Sequence, residues 1–148
     1  FARTCLVRER PPIGWGIVGL LGAGIFVTSG MITNGIEALA FLGIDGIADR
    51  PDLFWALFSL TRVLFTAEVV AWGIFIFGFS VAGWCSRRLP RWIAALGFAH
   101  AAAAMLSGVF IVSILTDGPA SVMIEVASLS GLAWFLCAAL FQSWRGGS

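Results

Sequence analysis

The sequence predicts an all-α membrane protein: a bundle of four transmembrane helices, both termini cytoplasmic, with a short amphipathic segment on the outer side. Three observations carry that expectation. Hydrophobic residues make up 59% of the chain and charged residues 11%, with a mean hydropathy of +0.97; soluble domains run nearer about 45–50% and about 25%. Four apolar runs are each long enough to cross a hydrocarbon core of roughly 30 Å, which takes about 20 helical residues. The arginines, finally, gather in alternate connections. Residues 1–148 therefore read as one membrane domain.

The first twelve residues, FARTCLVRERPP, are polar and basic, and Pro11 and Pro12 suit a helix entry, where a missing backbone N–H costs nothing. Span one follows at 13–33. Its five glycines, Gly16, Gly19, Gly22, Gly24 and Gly30, would weaken a soluble helix but let membrane helices approach closely. Gly19 and Ala23 form one such small pair. Asn34-Gly35 is expected to break the run. The connection 35–52 is acidic, with Ile36, Leu39, Ala40, Gly43, Ile44 and Ile47 at spacings of three and four. It reads either as a short amphipathic helix in the interface or as an ordered loop capping the bundle.

Span two, 53–84, is the longest run, and its only charges are Arg62 and Glu68. Span three, 92–115, follows the basic connection CSRRLPR and is the smallest-bodied, with Gly97, Ala104, Gly108 and a run of alanines at 101–104. So little side-chain volume predicts a central helix, packed on more than one side. Thr116-Asp117-Gly118-Pro119 is a tight turn, and span four covers 120–144.

Arg3, Arg8 and Arg10 precede span one, Arg87, Arg88 and Arg91 lie between spans two and three, and Arg145 closes span four. By the positive-inside rule these segments are cytoplasmic, which four spans with both ends inside satisfy. Trp15, Trp84, Trp92 and Trp144 then line one boundary as an aromatic belt. The expected location is the inner, cytoplasmic membrane of a cell, crossed by a multi-pass chain. Net charge is +1, so no basic surface points to nucleic acid. The three cysteines, Cys5, Cys85 and Cys137, contain no CxxC pair and read as reduced or buried thiols.

Charges inside a span cost roughly 2.5–3.5 kcal/mol each on insertion scales, so they are the candidate functional groups. Counted from the inner boundary, Arg62, Glu68, Asp117 and Glu125 fall near one outer level. They could form an ion or proton entry site. They could equally form a structural cluster in which Arg62 pairs with Glu125 or Asp117. His100 falls near the midplane, on a face with Gly97, Ala104 and Gly108, and could pack, relay protons, contact a quinone or ligate a haem. No metal-ligand spacing, phosphate loop or nucleophilic triad is present, so no catalytic residues and no metal site are expected.

The segment RRLPRWIAALG at 87–97 resembles part of a bacterial family of multi-span membrane proteins of unknown function, in which a basic LPRW turn opens a span rich in small residues. The resemblance covers about residues 60–115. Members of that family typically have more spans, and it implies no catalytic residues. The chain lacks the CxxC of vitamin K epoxide reductases and the first-span glutamate of small multidrug exporters. These features favour a non-catalytic accessory subunit, packed with other membrane subunits and bound lipid. The alternatives are a small oligomeric proton-coupled carrier using Glu68 and His100, and a haem- or quinone-interacting redox subunit using His100.

Overall fold

In the computed structural model, described over residues 13–42, 46, 50–111 and 122–146, the chain is helical throughout its four long elements. They are α1 (Ile13–Phe41), α2 (Pro51–Cys85), α3 (Arg91–Val109) and α4 (Val122–Gly146). Each is long and apolar enough to cross a membrane.

α1 runs straight through Asn34-Gly35 instead of stopping there. The Asn34 side-chain amide donates to the Gly30 carbonyl at 2.7 Å, one turn back, so it supports the helix it was expected to end. Continuing the helix also half-buries Ile36 and Ala40. Tertiary contact outweighs a local turn preference worth less than one helical turn of packing. Residues 35–41 of the expected outer connection thus belong to α1, and most of 42–50 lies outside the described residues.

α2 opens with Pro51 at its first position and Asp52 in its first turn, where the proline loses no hydrogen bond and the acid meets the positive helix end. Its other end is a Schellman turn. Arg88 N–H donates to the Gly83 carbonyl at 2.9 Å and Arg87 N–H to that of Trp84 at 3.0 Å, with Arg87 at φ 56°. Leu89 folds back over Gly83, where a β-carbon would lie 2.4 Å from its Cδ1. Pro90 then caps α3, so the reversal and the next helix start are encoded in six residues. Cys85 is disulfide-bonded, and Cys137 is a free thiol. The reduced reading therefore fails at Cys85.

Each helix is antiparallel to the next, and α2 packs on all three others. α2, not the small-bodied α3, is therefore the centre. The physical reason is length with alternating bulk: α2 buries Gly73, Gly78 and Ser80 where neighbours come closest, and Val69, Ile76 and Val81 between them. α3's small residues let it approach α2 and α4, yet Ala95, Ala99 and Ala102 face outward. The core has two parts. One joins Ile76, Ile93 and Trp134; the other joins Val69, Ala104 and Ala127.

Candidate functional site

Most hydroxyls in an apolar helix fold back onto the carbonyl three or four residues earlier, which satisfies them locally. Ser29, Ser59, Thr66, Ser86 and Ser107 all do so. The informative polar groups are those that do something else, and they fall into two places.

The first is on the α1–α2 contact. Glu68 stands seventeen residues from Pro51 and seventeen from Cys85, the middle of α2, and is only 8% exposed. Its Oε1 is hydrogen-bonded to Thr33 Oγ1, itself buried on α1. Thr33 Oγ1 also lies 3.1 Å from the Ser29 carbonyl. Gly30 makes the space, since a β-carbon there would sit 3.7 Å from Glu68 Oε2. Further along, Gly22 and Gly78 bring the two backbones together: a β-carbon on Gly22 would lie 2.5 Å from Phe75 N, and one on Gly78 2.4 Å from Gly19 N.

The second place is the meeting of α2, α3 and α4. His100 is fully buried, and its Nδ1 lies 2.8 Å from the Ala127 carbonyl and 3.2 Å from Ser130 Oγ. A carbonyl only accepts, so Nδ1 carries the proton in this contact. Nε2 has no hydrogen-bond partner among the described residues. The imidazole meets the Trp72 ring edge-on at 5.3 Å, and a β-carbon on Gly131 would come within 2.8 Å of His100 Cε1 and 2.7 Å of Trp72 Cζ2. One turn away, Ser80 Oγ and Trp134 Nε1 converge on Gly97, where a β-carbon would stand 2.0 and 2.7 Å from them. Trp72 Nε1, Ser80 Oγ and Trp134 Nε1 are likewise buried without partners, so this seam concentrates unpaired polar atoms.

The expected outer cluster is distributed differently. Glu68 turns to α1, Glu125 is exposed in the first turn of α4, and Arg62 is half-buried on α2. Asp117 lies outside the described residues. No three of His, Cys, Asp and Glu converge among the described residues. Of the packing residues, Gly19 and Ala104 are buried, Gly97 meets Ser80 and Trp134, Gly108 meets Val70, and Ala23 is half-buried. Thr33, Ser130 and Trp72 were not singled out from the sequence as partners of Glu68 and His100. Counting equal distances from the connection would have put Gly24 opposite Glu68 instead, so the pairing with Thr33 left no such signal in the sequence.

Four glycines of α1, Gly14, Gly16, Gly24 and Gly35, have open space where a β-carbon would stand, and of these Gly24 lines a groove. A β-carbon on Gly24 would find no atom within 4 Å. It lies in an open groove of ≈ 450 Å³ lined by Leu20, Leu21, Ile25, Thr28, Ser29 and Ile32. Comparison of the chain with family models, with curated proteins and with solved structures gave no match.

Proposed function

We propose that this integral membrane protein is a non-catalytic accessory subunit, which packs through α1 against an apolar helix of another subunit in a larger membrane assembly. The open Gly24 groove carries the reading. Glycine in a helix interior costs about 1 kcal/mol relative to alanine, and an acyl chain, which adapts to any surface, gives nothing back for it. A second helix does, because a small residue lets its backbone approach. α1 already uses Gly19 and Gly22 in this way against α2. Leu20, Leu21, Ile25 and Ile32 around Gly24 are half or more exposed and supply the apolar rim. Lipid covers the remaining outward faces of α1 and α4.

The orientation we propose is N-in and C-in, in a bacterial inner membrane. Two observations pull apart here. Arg87, Arg88 and Arg91 favour a cytoplasmic α2–α3 turn, whereas a disulfide at Cys85 favours an oxidising compartment. We give the arginines more weight, because Arg87 and Arg88 lie in a five-residue connection and Arg91 opens α3, where the charge rule acts most strongly. Single-cysteine labelling with an impermeant maleimide at position 86 of an otherwise cysteine-free chain checks this. Labelling from the outside in intact cells would reverse the topology.

The function is tested by extracting the native membrane in mild detergent and measuring the mass and composition of the species that contains the chain. Stoichiometric co-migration with another membrane protein, lost in Gly24→Leu while the variant stays folded, is the expected result. A homo-oligomer without partners would favour the proton-coupled carrier, for which the burial of Glu68 is the supporting observation. The redox alternative predicts haem absorbance or quinone in the purified species, abolished by His100→Ala.

A further inference from the structure

We propose that the connection between α2 and α3 holds the phosphate of an anionic phospholipid, with an acyl chain lying along the outward face of α3. Arg87, Arg88 and Arg91 are all exposed at this end of the bundle. Nothing nearby in the chain offsets their charge, since no acidic residue occurs between Glu68 and Asp117. Among the described residues no carboxylate pairs with Arg87 or Arg91, and these two carry the proposal.

Depth in the membrane selects the ligand. Both arginines stand where two spanning helices end, which is the level of the headgroup phosphates. Trp84 and Trp92, 42% and 59% exposed, flank them, as indoles do at that boundary. The Trp84 ring lies against Phe98 of α3, centroids 5.3 Å apart, which ties the end of α2 to the start of α3. The turn is closed by hydrogen bonds to the Gly83 and Trp84 carbonyls, with Arg87 at φ 56°. The two guanidinium groups are thus carried on a fixed backbone, on either side of Pro90. A guanidinium is a planar fork of donors that matches phosphate oxygens two at a time. Backbone donors add to it. Pro90 caps α3 without a side-chain hydrogen bond, and the first bond of the helix runs from Ala94 N–H to the Pro90 carbonyl at 3.2 Å. The N–H groups of Arg91, Trp92 and Ile93 therefore have no acceptor in their own helix.

Beneath the arginines, α3 offers a bed for the tail. The exposed residues Ala95, Ala99 and Ala102 follow Arg91 at spacings of four, four and three. Counted at about 100° per residue, all three fall between Arg91 and Trp92 around the helix. They form a shallow strip that begins at the basic end, so one helix face serves headgroup and acyl chain together. A free phosphate ion would use only the upper part. The site is on other helices than the Gly24 groove and goes beyond the subunit reading: it serves a subunit or a carrier alike.

The full chain, purified in mild detergent and stripped of lipid, is titrated with phosphatidylglycerol or with phosphatidylcholine of the same acyl chains. Native mass spectrometry then counts the lipids retained. Phosphatidylglycerol should be held at concentrations where phosphatidylcholine is not. R91Q should weaken retention about fivefold, the contribution of one cation at an anionic surface, and R87N by a similar factor. Asparagine is used at position 87 because it tolerates left-handed backbone. R50Q, just before the other end of α2, should leave retention unchanged. Equal retention of the two lipids, no loss in R87N with R91Q, or an equal loss in R50Q would overturn the proposal. So would displacement by inorganic phosphate, which would mark a site for a soluble anion. A phosphatidylglycerol carrying a diazirine in its acyl chain locates the site without any substitution. Adducts on residues 95–102, competed by unlabelled phosphatidylglycerol, are expected, and adducts spread evenly over the other helices would overturn the assignment. Should the double variant fail to fold, this map on the unaltered chain decides alone.

Discussion

The two titratable residues buried among the described ones, Glu68 and His100, sit in interfaces of opposite construction. Glu68 lies where α1 meets a single neighbour, and the contact is backbone against backbone, set by Gly19, Gly22 and Gly78. His100 lies where three helices converge, and the contact is side chain against side chain, through Trp72, Trp134, Ser80 and Ser130. The contrast teaches where a substitution can be absorbed. A side chain can turn aside, within limits set by packing; a helix backbone can yield only by moving the whole helix.

The largest effect is expected at Gly78. Gly78→Val would drive a β-carbon into the Gly19 amide and the Trp15 carbonyl, which cannot rotate away. A loss of about 3 kcal/mol, at the upper end for overpacking, should appear in equilibrium unfolding in detergent, with α1 exposed to protease. A change below about 0.5 kcal/mol would mean that α1 is not held by this contact.

Next in size is Gly97→Ala, at about 2 kcal/mol, because its targets are side chains. Ser80→Ala in the same chain should recover part of that loss, since it removes the oxygen 2.0 Å from the new methyl. Additive losses in the double variant would show that Ser80 is not what Gly97 accommodates. His100→Ala belongs to the same class, with about 2 kcal/mol lost through the cavity and the missing hydrogen bond to Ala127.

Thr33→Val probes the thinner interface and should cost about 1 kcal/mol, the net worth of one hydrogen bond. A loss as large as that of His100→Ala would erase the distinction between the two sites. The smallest effect is expected at Gly24. Gly24→Ala meets nothing within 4 Å, so stability of the isolated chain should hold or rise by up to about 1 kcal/mol. Destabilisation there, measured by the same unfolding assay, would show that the groove is closed within the chain itself.

Much of the architecture was legible before the fold. The four helices follow from apolar length, and the connection between α2 and α3 from the basic run CSRRLPR, although the fold-back of Leu89 onto Gly83 was not foreseen. The end of α1 was not legible, because Asn34-Gly35 is a turn signal in isolation and a helix once its amide bonds Gly30 and Ile36 packs. The central helix was misjudged for a related reason. Small residues say that a helix can approach closely, but not how many neighbours take up the offer. At the candidate sites, spacing put Gly97 and Ala104 on the face of His100, and charge within a span marked Glu68, but depth counting grouped it with Arg62, Asp117 and Glu125 at an outer level, whereas it stands at the middle of α2. Their partners, Ala127, Trp72 and Thr33, come from other helices.

The sequence by itself determined that this is a four-helix membrane protein, because length and hydropathy act locally and an apolar run of this size has no other stable environment. Only the tertiary structure decided which helix is central, and that Glu68 meets a hydroxyl rather than an arginine. It also decided which glycines are spent inside the bundle and which are left open. These are matters of helix rotation and register, and in a segment that is apolar all round, hydropathy is nearly blind to rotation. The faces are chosen by close packing, one missing β-carbon at a time.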